Sequence, residues 1–209
     1  MTGGKTLSLC APDQINNSIQ SGFFDDTILC GTCDGKLGQY DKHAIEVSRL
    51  IGTTRESIGA LQFSVRHNGE IDHQSLALFA GAVVWRASVS LRIKSLSGFT
   101  LGTNEPWLRQ MIFREVGAIP DVVVARLVGN TAIHHKAAMA ALSYPVAIKS
   151  KRGTWMARFV LNGLMFLVCT SRSPERWMRE ESVTAFGRSA GMDQLIGKIM
   201  PFDQLADLA

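Results

Sequence analysis

The chain has 209 residues, 46% of them hydrophobic and 19% charged, with six prolines, four cysteines and a formal net charge of +4. That length fits a single core large enough to need no disulfide or metal for its stability, and the composition excludes a disordered or fibrous chain. The most apolar run, residues 159–169, is broken by Asn162-Gly163 and is too short for a bilayer, and no signal-peptide core follows Met1; a cytoplasmic protein without a membrane span is expected.

Residues 1–33 carry Gly, Asn, Ser and Asp at close intervals and read as loop or short hairpin. Leu37, Tyr40, Ala44, Val47 and Ile51 then recur at helical spacing, which predicts an amphipathic helix over 35–51 with Asp34 as its cap. Alternation over residues 60–66 predicts a strand, followed by a turn at His67-Asn68-Gly69-Glu70. Asp72 is placed to cap a helix over 73–92 whose apolar stripe comprises Leu76, Phe79, Ala80, Val83, Val84, Ala87 and Leu91. A further helix should begin at Asn104, with Pro106 in its first turn and Leu108, Met111 and Ile112 facing inward.

Beyond Pro120 the pattern becomes that of strands: residues 122–128, 141–149, 154–161 and 164–170 are β-branched or aromatic runs, the last two joined by the hairpin signal Asn162-Gly163. They predict an antiparallel sheet. Ser173-Pro174 has the form of a helix start, and the tail reads as short helix or coil. The fold class expected is α+β, with a zinc-knuckle-like segment and helix over residues 1–55 packed on an α+β domain over residues 56–209.

Cys30-Gly31-Thr32-Cys33 is the most specific chemical feature. Two thiolates at this spacing can reach one tetrahedral zinc, can form a redox pair at a helix start, or can simply be buried. His134 and His135 are adjacent and project apart, which suits a surface turn better than a shared site. Asp25, Asp26 and Asp41 lie near the cysteines but read as turn and helix charges. No nucleophile elbow, phosphate-binding loop, dinucleotide fingerprint or His-Glu-x-x-His pattern occurs.

The segment Gly22-Phe23-Phe24-Asp25-Asp26-Thr27-Ile28-Leu29-Cys30-Gly31-Thr32-Cys33 and the residues as far as Asp41, together with Trp85-Arg86-Ala87-Ser88-Val89-Ser90 and Leu101-Gly102, resemble a group of bacterial and phage proteins related to HNH-type, treble-clef zinc proteins. The resemblance implies a zinc ion held in part by Cys30 and Cys33. An earlier cysteine knuckle and a histidine-bearing segment precede this point in that group; here only Cys10 precedes Cys30, and the first histidine is His43. A rebuilt site would draw on Cys10 and His43.

Charge adds a second centre. Residues 1–72 hold six Lys/Arg against nine Asp/Glu, and the remainder holds sixteen against nine. Within the basic part, Lys149, Lys151, Arg152, Arg158, Arg172, Arg176, Arg179 and Arg188 are interleaved with Trp155 and Trp177, a composition suited to phosphates and unpaired bases, though also to a solvated sheet rim. The expectation is a nucleic-acid-associated protein of HNH-like ancestry, a divergent or inactive nuclease with no assignable general base. The alternative is a non-catalytic module, of phage or mobile-element type, that binds a nucleic-acid-handling protein complex.

Overall fold

The computed structural model describes residues 28–53, 57–58, 62–66, 71–128, 141–185 and 194–201. The first 27 residues, the turn expected at 67–70 and the pair His134-His135 lie outside them.

Helix α1 spans Gly31–Thr53, beginning four residues earlier than the apolar spacing predicts. The Asp34 N–H donates to the Cys30 carbonyl at 2.9 Å, so Cys30 occupies the cap position and Asp34 lies within the first turn. There its charge faces the positive end of the helix dipole. Leu37, Ala44 and Val47 are buried as the spacing requires, with Tyr40 half-buried beside them. Strands β1 (Ser57–Ile58) and β2 (Gln62–Arg66) form an antiparallel hairpin.

Helix α2 spans His73–Val89. Asp72 caps it as predicted, accepting from the Gln74 and Ser75 N–H groups at 3.0 Å each. The expected continuation to residue 92 does not occur. Ser90 adopts an extended conformation, closes α2 through its N–H on the Arg86 carbonyl, and accepts the Ile93 N–H at 3.2 Å. A new helix, α3 (Leu91–Ser97), starts there at 85° to α2. Leu91, expected on the inward stripe, is consequently 78% exposed. Helix α4 (Glu105–Ile112) follows a 3-10 turn, with Pro106 in its first turn and Leu108, Met111 and Ile112 buried. Gly81 permits α2 to approach this layer: a Cβ there would lie 2.9 Å from Pro120 Cγ and 3.0 Å from Ile112 Cγ2.

The remaining elements are β3 (Val122–Val128), β4 (Val146–Lys149), β5 (Trp155–Leu161), β6 (Leu164–Cys169), α5 (Arg176–Glu180) and β7 (Gln194–Pro201). The antiparallel sheet predicted from the apolar runs is present as β3-β6-β5-β4, and Asn162 and Gly163 both take positive φ in the β5–β6 turn, as the hairpin signal requires. The run from residue 141 yields a strand only after Pro145, which lacks a ladder donor; before it there is a single bridge, Leu142 to Leu161. Helix α5 starts at Arg176, after Glu175 and not after Ser173.

The largest departure is the tail. Gln194–Pro201 is a strand, inserted parallel to β3 and antiparallel to β2, so one seven-stranded sheet runs β1-β2-β7-β3-β6-β5-β4. Its Leu195-Ile196 and Ile199-Met200 pairs lack the alternation of a half-buried strand.

The core lies between α2 and one face of the sheet. Phe159 and Phe166 are cross-strand partners stacked at 4.8 Å, and Phe79 of α2 meets both edge-on at 6.3 and 5.8 Å. Helices α1 and α4 pack on other sides of α2, which explains why that helix is apolar almost all round. On the opposite sheet face Met178 of α5 joins Met156 and Cys169. No single described helix is long and apolar enough to cross a membrane.

Candidate functional site

Two groups of side chains stand out, at opposite ends of the sequence. The first is the thiol pair at the start of α1. Cys30 is exposed, Cys33 is half-buried one turn into the helix, and both are free thiols. Hydrogen bonding from the Cys33 backbone N–H and thiol lowers the pKa of the Cys30 thiol from its ordinary value. The same thiol–thiol hydrogen bond pushes Cys33 up, with partial desolvation and the Cys30 charge acting the same way, while Lys36 and Arg109 act against it. Arg109 comes from α4, so packing of separate helices supplies a cation that the local sequence does not signal. Cys169, by contrast, is buried on the sheet and its thiol is pushed up to about 11 by desolvation.

Among the described residues the donor set does not complete a zinc site. Structural zinc takes four ligands, and among the described residues no three His, Cys, Asp or Glu side chains converge. His43 follows Cys33 by ten residues on the same continuous helix, which at 1.5 Å per residue puts it about 15 Å along the axis. The structure therefore does not bring His43 to the thiols; it lies instead near Asp72 at the entry to α2. Cys10 lies outside the described residues. Asp41 is committed elsewhere, receiving both Arg86 guanidinium nitrogens at 2.9 and 2.5 Å in a half-buried pair that ties α1 to α2.

The second group lies where β4 turns into β5 and β6 runs towards α5. Lys149 pairs with Trp155 across the strands, and its ammonium sits 5.2 Å from the centre of the indole. Trp155 is 48% exposed, so its ring is open to a second partner. The intervening turn carries Lys151 and Arg152, both exposed, and closes through the Ser150 N–H on the Thr154 carbonyl. Two links tie this turn to the segment after β6. The Trp155 N–H donates to Ser171 Oγ at 3.0 Å, which places the exposed Arg172 beside it. The Ser150 hydroxyl donates to Glu175, whose other carboxylate oxygen accepts the Trp177 indole N–H at 2.8 Å. The Ser150 bond is the main cause that keeps the Glu175 carboxyl ionised below its usual range.

Lys149 thus lies over Trp155, with Lys151 and Arg152 on the adjoining turn and Arg172 next to the tethered Ser171. Arg176 and Arg179 are exposed on α5, but Arg176 is engaged by Glu180 at 2.6 Å. Arg158 does not join them. It points to the other sheet face from Trp155, half-buried opposite Leu167 and Val146, where desolvation depresses its pKa. Trp177 is half-buried against Met178 and its neighbours, so only one of the two tryptophans offers a free face. Glu175, which organises the group, carries no sequence pattern that would have singled it out. Arg188 lies outside the described residues.

Comparison with family models, with curated proteins and with solved structures finds no match to this chain. The treble-clef resemblance accordingly has only the sequence segments around Cys30, Trp85 and Leu101 behind it.

Proposed function

We propose that this chain binds nucleic acid through the β4–β5 turn and the segment after β6, with Trp155 as a stacking surface and Lys149, Lys151, Arg152 and Arg172 as phosphate-binding cations. The observation that carries the reading is an indole exposed by half its area, flanked by a lysine over its ring and by three further cations on tethered backbone. Among the described residues the ion pair of this region is Arg176 with Glu180, while Arg152 lies in the field of Glu175. Stacking on an aromatic is tolerant of sequence, and unpaired bases are the natural occupants. No hydrolytic step is assigned.

The test is binding of the full chain to labelled single-stranded oligonucleotides across a salt series. Trp155→Ala should weaken binding by about 1–3 kcal/mol with little change in salt dependence. Lys151→Ala combined with Arg152→Ala should lower the slope of log affinity against log salt by about 1.4, near 0.7 for each phosphate that is no longer neutralised. Absence of binding at low salt, or affinity indifferent to both variants, sinks the reading.

A further inference from the structure

We propose that Cys30 and Cys33 form a reversible dithiol–disulfide centre that exchanges with low-molecular-weight disulfides of the glutathione type. The inference is independent of the nucleic-acid reading, which uses other residues at a distant part of the sequence. Its basis is the geometry of the pair. Both are free thiols, Cys30 is exposed at the very start of a 23-residue helix, and Cys33 stands half-buried one turn behind it.

Closing the bond asks for little movement. Residues three apart on a helix hold their Cβ atoms about 5–6 Å apart and a disulfide requires about 3.5–4.5 Å, so the pair must approach by about 1–2 Å. Cys30 lies at the helix entry, where one turn can tighten without disturbing the rest, and nothing lies within 4 Å of the space beside Gly31. The pair is also asymmetric in access. Cys30 meets solvent, whereas Cys33 is half-buried.

The exchange follows from this arrangement. The Cys30 thiolate attacks one sulfur of the incoming disulfide, whose S–S bond breaks and whose other half departs as a thiolate. Cys33 then loses its proton to solvent and attacks the Cys30 sulfur of the mixed disulfide, expelling the second small thiolate. Two electrons pass from the cysteine pair to the small disulfide, which ends as two thiols. Cys169, buried and held protonated, takes no part.

The test uses the full reduced chain equilibrated in glutathione buffers of graded redox potential, quenched with acid, labelled with a maleimide and mapped by mass spectrometry. Cys30 and Cys33 should lose their label together along a two-electron curve, joined to each other, with Cys169 reduced throughout. Cys33→Ser should trap one glutathione on Cys30, and Cys30→Ser should trap none at an equal time. Full labelling of both thiols at the most oxidising potential overturns the proposal, as does a disulfide from Cys30 to Cys10. So does a reduced protein whose Cys30 and Cys33 resist the maleimide until a chelator is added, because the pair would then be engaged by metal.

Discussion

Asp72 shows how much one side chain settles. Partial burial pushes its carboxyl up, but bonds from the Ser75 hydroxyl and from the Ser75 and Gln74 N–H groups outweigh this, with His43 nearby, and hold it below the ordinary carboxylate range. Asp72→Ala should cost about 1 kcal/mol of unfolding free energy at neutral pH, since two helix-terminal N–H groups lose their acceptor. A depressed folded-state pKa contributes stability that is present above the unfolded value, near 4, and is lost as pH falls through the folded one. The gap between wild type and variant in urea titrations should therefore shrink as the buffer is taken below about pH 4. This residue was legible in advance because capping is local: an aspartate before an apolar helical stripe needs no knowledge of the rest of the molecule. The Arg109 charge felt at Cys33 was not, because it arrives only through the packing of α4 and α1 around α2. The pairing of Asp41 with Arg86 was hidden for the same reason.

At the scale of elements, the break at Ser90 separates two readings of one stripe. Periodicity alone carries the helix through Leu91, whereas Ser90 ends α2 and caps α3, and turns Leu91 outward. Leu91→Ser should accordingly change stability by no more than about 0.5 kcal/mol, as at other exposed positions. Leu76→Ala, at a site with no exposure in the core, should cost about 2–5 kcal/mol. Equal and large losses at both positions in denaturant melts would restore the unbroken helix. The helices and strands that were legible are those with a strong local pattern: α1 and α4 by their apolar spacing, β3 by its continuous β-branched run, and the β5–β6 hairpin by its Asn162-Gly163 turn. Where two caps share one serine, or a proline interrupts an apolar run as at Pro145, periodicity gives the region but not its ends.

Across the whole molecule, β7 holds the sheet together. Among the described residues it is the sole link between the β1–β2 hairpin and the strands from β3 onward, with Lys198 opposite Gln62 on one side and Ala125 on the other. Lys198→Pro removes a ladder donor from a strand paired on both sides, and the unsatisfied acceptor alone should cost about 1–3 kcal/mol. Amide exchange should reveal the topology: protection would fall in β2 as well as in β3, while the β5–β6 hairpin stays protected. The sequence could not announce this arrangement, because the apolar residues of β7 do not alternate and because its partners lie far away along the chain.

That order of assembly matters at the ribosome. The hairpin and β3 are both synthesised well before β7 exists, so for much of translation each presents an open row of backbone donors and acceptors that only the late strand can cover. The nascent chain is thus an unfinished surface, attractive to its neighbours and to chaperones, until one short segment slides between two waiting edges and shuts both at once.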